Sequence, residues 1–67
     1  MYKLFTSPIG TQYILVVETN TYIPYDPANT DYQNFKTQIN DETAQLEDAD
    51  GNLMTPEAAK AYVATLP

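Results

Sequence analysis

Thr11-Gln12-Tyr13-Ile14-Leu15-Val16-Val17-Glu18 is the stretch on which the fold turns. Aromatic and β-branched side chains dominate it, and such residues fit a pleated, half-buried surface. It reads as a strand. Successive side chains of a strand point to opposite faces, so Tyr13, Leu15 and Val17 share one face while Ile14 and Val16 share the other. Both faces are apolar. Two short helices have enough surface to cover one of them, and cover both only if they divide between them. A face left bare is an apolar patch of the kind that marks an interface. With Leu15 taken as the core side, Ile14 and Val16 become candidate contact residues.

Working outward, Tyr2 to Thr6 reads as a short strand, and Ser7-Pro8-Ile9-Gly10 supplies a turn. Proline there fixes one dihedral angle and glycine accepts a positive φ. Thr19-Asn20 makes a second tight turn, since Asn tolerates left-handed geometry. Thr21 to Pro24 follows as a third strand that proline stops or confines to an edge. Residues 1–25 therefore form an antiparallel three-stranded meander.

Residues 26–40 form an elbow and a helix. Asp26-Pro27 opens it, and Thr30 with Gln33 has the spacing of a capping box. Tyr32, Phe35 and Ile39 recur as one apolar stripe, which predicts a helix over 30–39 ending at Asn40-Asp41. Residues 41–55 hold Asp50-Gly51, a signal for a type I′ hairpin, so an acidic ribbon is expected at 45–54. Thr55-Pro56-Glu57 gives an N-cap, a proline at the first helical position and an acid in the first turn. Ala59, Tyr62, Val63 and Leu66 then share a face, predicting a helix over 56–65 within a C-terminal unit of 56–67. The whole is expected to be one α+β domain, a meander packed with two short helices and an acidic hairpin.

Composition narrows the chemistry. A chain of 7.5 kDa folds to a surface of about 4,200 Å², which leaves a thin core. Domains this small usually add a disulfide, a metal or a partner. This one has no Cys and no His. Thiolate and imidazole chemistry are thereby excluded, along with Cys–His and Ser–His pairs. Carboxylate catalysis needs a deep pocket to shift a pKa, and a domain of this size rarely encloses one. The expectation is a protein that is not an enzyme, takes no cofactor and relies on packing or on association with other copies.

Net charge is −6, and residues 26–67 carry the excess, with Asp41, Glu42, Glu47, Asp48 and Asp50 the densest run. Such a field repels phosphates and anionic membranes. Direct nucleic-acid and membrane binding are not expected. A basic protein partner is compatible, with Asp48 and Asp50 as its candidate contacts. Asp48, Asp50 and Asn52 also match the first three ligand positions of a calcium loop. Leu53 stands where that loop needs glycine and Ala59 where it needs the closing glutamate, so no metal is expected. Six tyrosines add large rigid area with polar tips. Tyr22 and Tyr25, on either side of Pro24, are the pair expected at the surface.

The segment Ile23-Pro24-Tyr25-Asp26-Pro27-Ala28-Asn29-Thr30-Asp31-Tyr32-Gln33-Asn34-Phe35, with the opening Met1-Tyr2-Lys3-Leu4 through Thr6-Ser7-Pro8, resembles a group of small tailed-bacteriophage proteins. Their shared pattern is Ile-Pro-(Phe/Tyr)-Asp-Pro-x-Asn-x-Asp-Tyr-Gln-x-(Tyr/Phe), and they are often encoded among tail and tail-fibre genes. The resemblance implies a phage origin and a role without catalysis, in the virion or in the bacterial host cytoplasm. A virion or tail structural or assembly component is one reading. The other is a host-takeover factor that binds and inhibits a bacterial enzyme or nucleic-acid-binding protein through its acidic surface.

Overall fold

The computed structural model describes residues 1–67. Its elements run β1 (Tyr2–Thr6), β2 (Gln12–Val16), β3 (Thr21–Pro24), α1 (Thr30–Asn40), β4 (Leu46–Glu47) and α2 (Pro56–Val63). The class is α+β, with a mixed four-stranded sheet in the order β3-β2-β1-β4. The antiparallel meander accounts for three strands. The fourth corrects the expectation. Leu46–Glu47, the first arm of the acidic ribbon, lies parallel to β1 and extends the sheet beyond the meander.

Two loops share one hydrogen-bonding scheme. In Ser7–Thr11 the Gly10 N–H donates to Ser7 O and the Ser7 N–H to Thr11 O. In Asp48–Asn52 the Gly51 N–H donates to Asp48 O and the Asp48 N–H to Asn52 O. Each opening side chain accepts from the closing backbone N–H: Thr11 to Ser7 Oγ at 3.1 Å, and Asn52 to Asp48 Oδ1 at 2.9 Å. Each glycine sits at φ 88°, where an L side chain is strained. These are three-residue hairpin loops closed by a left-handed glycine, and the two-residue type I′ turn expected at Asp50-Gly51 is absent. The link between β2 and β3 is also longer than expected. β2 ends at Val16, and only Asn20 in that link is left-handed, at φ 55°.

Both helices begin on side-chain caps. Asn29, one residue before the expected capping box, accepts the Tyr32 N–H at 3.1 Å, while Gln33 Nε2 donates to Pro27 O. Thr55 caps α2 by accepting the Ala58 N–H at 3.1 Å, with Pro56 at the first helical position as the sequence reads. α1 ends in a Schellman motif, in which the Thr43 N–H reaches Gln38 O and the Glu42 N–H reaches Ile39 O. Glu42 occupies the left-handed position at φ 59°, where glycine is usual. Its carboxylate takes a 2.7 Å ion pair from Lys60, tying the end of α1 to α2.

The core is Tyr2, Ile14, Ile23, Tyr32, Phe35, Ile39, Leu46, Ala59 and Val63. Cross-strand register puts Leu4 beside Ile14 and Ile14 beside Ile23, so the sheet residues of this cluster share one face. Residues from both helices pack on that same face. Edge contact between the Tyr2 and Phe35 rings, 4.9 Å between centroids, joins sheet to helix. Lys36 closes the far side, donating to Pro67 O at 2.7 Å and lying 5.3 Å from the Tyr32 ring centre. The helices do not divide. One face of the sheet is left without a layer over it.

Candidate protein-binding surface

The bare face begins with Lys3. A lysine on a short strand turns to water, and the register carries its side across the sheet: Lys3 pairs with Glu47 and Leu15, and Leu15 pairs with Tyr22. One residue pair along, Phe5 faces Tyr13 and Tyr13 faces Pro24. Three of these rings form a cluster. Phe5 and Tyr22 meet edge to face at 5.0 Å, Tyr13 and Tyr22 at 6.2 Å, and Phe5 and Tyr13 at 6.4 Å with a tilt. Tyr22 remains 47% exposed and Val17, of the same parity, 43%. Phe5, Tyr13 and Leu15 are half-buried. Edge-to-face rings add roughly 0.5–1.5 kcal/mol per pair to their area burial, so the three rings support one another on the sheet.

Ile14 and Val16 are therefore corrected from contact residues to core residues. Ile14 is fully buried, and Val16 is partly buried against the core cluster. Shifting by one residue along a strand exchanges the faces, and the Tyr13–Val17 run is apolar in either phase. The missed surface residues are Phe5, Tyr13 and Leu15. Lys3 was the signal for them, since its charge sets the outer side of β1 and the hairpin registers pass that side to β2 and β3.

Tyr22 stands at the surface as expected, but Tyr25 does not pair with it. Beyond Pro24 the chain turns toward the helices, and the Tyr25 hydroxyl bonds the Tyr62 hydroxyl at 2.7 Å. Burial pushes the Tyr25 phenol well above its usual range, and the Tyr62 hydroxyl adds to the effect. Tyr25 packs against the core and belongs to the layer of α1 and α2.

Asp48 and Asp50 lie on the loop after β4. Asp48 Oδ1 accepts the Asp50 and Asn52 N–H groups, both at 2.9 Å, and the Asn52 N–H bond holds the Asp48 carboxyl below the usual carboxylate range. Asp50 is exposed and its side chain points to no partner within the loop. No three carboxylates converge where a cation would sit. Lys3 approaches this loop, its Nζ lying 3.9 Å from where a Cβ on Gly51 would stand. Behind β4 a cleft of about 390 Å³ opens between the end of α1 and the start of α2, floored by Ile39, Leu46 and Ala59 and flanked by Leu53. Leu53 is 55% exposed. No helix is long and apolar enough to cross a membrane. Comparison with protein-family models, with curated proteins and with solved structures finds no match to this chain.

Proposed function

We propose that this chain is a non-enzymatic binding protein of a tailed bacteriophage, a virion or tail structural or assembly component that docks through the bare face of its sheet. The observation that carries this reading is the uncovered aromatic face of Phe5, Tyr13, Leu15 and Tyr22. A layered α+β domain covers its apolar surface, and an apolar patch left to water is the usual mark of an interface. Tyr at such a patch gives large contact area while losing little rotamer freedom. The phage assignment rests on the Ile23–Phe35 pattern. The binding role rests on the face.

The second reading, a host-directed inhibitor, is favoured by the exposed Asp50 and half-buried Asp48 of the loop at the β4 edge of the sheet. Mass spectrometry of purified particles of the encoding phage separates the two. Stoichiometric presence is expected, and replacement of Leu15 by Glu should reduce it at least tenfold. Absence from particles, together with co-purification of a host protein that Asp50→Lys releases, would favour the inhibitor instead.

A further inference from the structure

We infer that the partner seated on the bare face is a second copy of this chain, giving a two-fold dimer in which two sheets pack face to face between outer helix layers. The inference rests on the reading of that face as a docking surface and names its occupant.

Charge points to it first. The register places Lys3 and Glu47 side by side on the face, and their charges cancel. The net charge of −6 therefore lies on the rest of the molecule. A basic partner would be drawn to the acids, whose Asp48–Asn52 loop adjoins the β4 edge of this face, and not to its aromatic half. What matches an apolar surface with one lysine and one glutamate side by side is a surface of the same kind.

The order of residues across the sheet gives the second argument. One row reads Glu47, Lys3, Leu15, Tyr22 from β4 to β3. A two-fold axis in the interface and parallel to the strands reverses this row on itself. Glu47 then faces Tyr22 of the second copy, a carboxylate acceptor against a phenol donor, and the Lys3 stem lies over Leu15. In the next row the Phe5 ring meets Tyr13 of the second copy, and Tyr13 meets its Phe5. The charged half of the first row covers its Leu15–Tyr22 half in the second copy and the second row is apolar throughout, so the face complements itself, as a two-fold interface requires. Sheets packed this way lie about 10 Å apart with strands rotated by about 30°.

Area sets the strength. Extents of 30 × 27 × 24 Å limit a single face to roughly 600–800 Å² of footprint, so the pair buries about 1,200–1,600 Å², the lower part of the range for specific interfaces. A dimer in exchange with monomer, with Kd in the range of about 1–100 µM, is the expected result.

Sedimentation velocity of the full chain across that concentration range tests it, at about 0.05 M and about 0.5 M salt. Dimer should form, and it should strengthen with salt, because screening relieves repulsion between two acidic molecules while apolar contact is preserved. Leu15→Glu should weaken association at least tenfold while the melting temperature of dilute protein changes little. If that variant does not fold, Tyr22→Ser, at a more exposed position, carries the same test. A monomer at about 0.5 mM in high salt overturns the inference, as does a dimer indifferent to both substitutions. A monomer whose Leu15→Glu variant is lost from particles removes the second copy as occupant while leaving the docking reading intact. A monomer whose variant is incorporated normally removes both.

Discussion

Tyr32 carries the one buried polar side-chain atom that finds no partner: its ring is wholly enclosed and its hydroxyl bonds to nothing in the protein. Burial raises its phenol pKa, and the nearby Tyr62 hydroxyl adds to the rise. An unsatisfied buried hydroxyl costs about 1–3 kcal/mol. Tyr32→Phe keeps the ring packing against Phe35 and Tyr25 and is expected to gain about 1 kcal/mol, raising the melting temperature by roughly 4–8 °C in a domain of this size. A drop of similar size would mean that the hydroxyl has a bridging water. Glu42 is the second single residue under tension, with a Cβ held at φ 59° and an exposed ion pair to Lys60. Such a pair is worth only about 0.2–1 kcal/mol. Glu42→Ala loses it and keeps the strain, whereas Glu42→Gly loses it and relieves the strain. The glycine variant should therefore be the more stable of the two by about 1 kcal/mol in urea unfolding. Neither site was legible in the sequence. A Schellman end closed by glutamate and a tyrosine without a partner both depend on where the helix meets its neighbours.

At the scale of elements, local chemistry was readable and distant chemistry was not. β1, β3, the Thr55 cap and the Asn40-Asp41 stop follow from turn residues, cap residues and periodicity within a few positions. β4 does not. It is two residues long, its parallel partner lies more than forty positions earlier, and no local preference announces that pairing. The twin loops show how closely local rules act: Ser7 and Asp48 open them, Gly10 and Gly51 close them, and the opening oxygens hold the closing N–H groups. For Asp48 this sets a pH dependence. Its folded pKa is depressed, chiefly by the Asn52 N–H, so its contribution is present above the unfolded value of about 3.9 and is lost as pH falls through the folded value. Carboxyl chemical shifts followed by NMR from neutral to acid should show Asp48 titrating below the ordinary aspartate range. Asn52 amide protection should fade over the same interval. An ordinary midpoint for Asp48 would mean that the loop opens in solution.

For the whole molecule, the question is which face of the sheet holds the fold together, and β2 answers it with adjacent residues. Ile14 lies fully buried between the sheet and the helices, while Leu15 points to the bare face beside Lys3 and Tyr22. The sequence shows that both are apolar and that two helices follow. It does not show that both helices choose the Ile14 side, because that choice depends on Tyr32, Phe35, Ile39, Ala59 and Val63 converging on one cluster. Ile14→Ala removes buried methyl groups from a closed site and should cost about 2–5 kcal/mol. A domain of this length holds only about 3–10 kcal/mol in total, so the variant should be close to unfolding at room temperature. Leu15→Ala opens no cavity between layers and should cost under about 1 kcal/mol when measured on dilute monomer. Urea melts of both variants at low protein concentration measure the difference directly. Equal costs would mean that something covers Leu15 even in the monomer, and the bare face would have to be abandoned as a docking surface. If Leu15→Ala is mild in dilute solution but lowers the melting temperature more as concentration rises, the added loss is that of an interface. A residue wholly inside the fold gives no such dependence, since its burial is complete in every monomer.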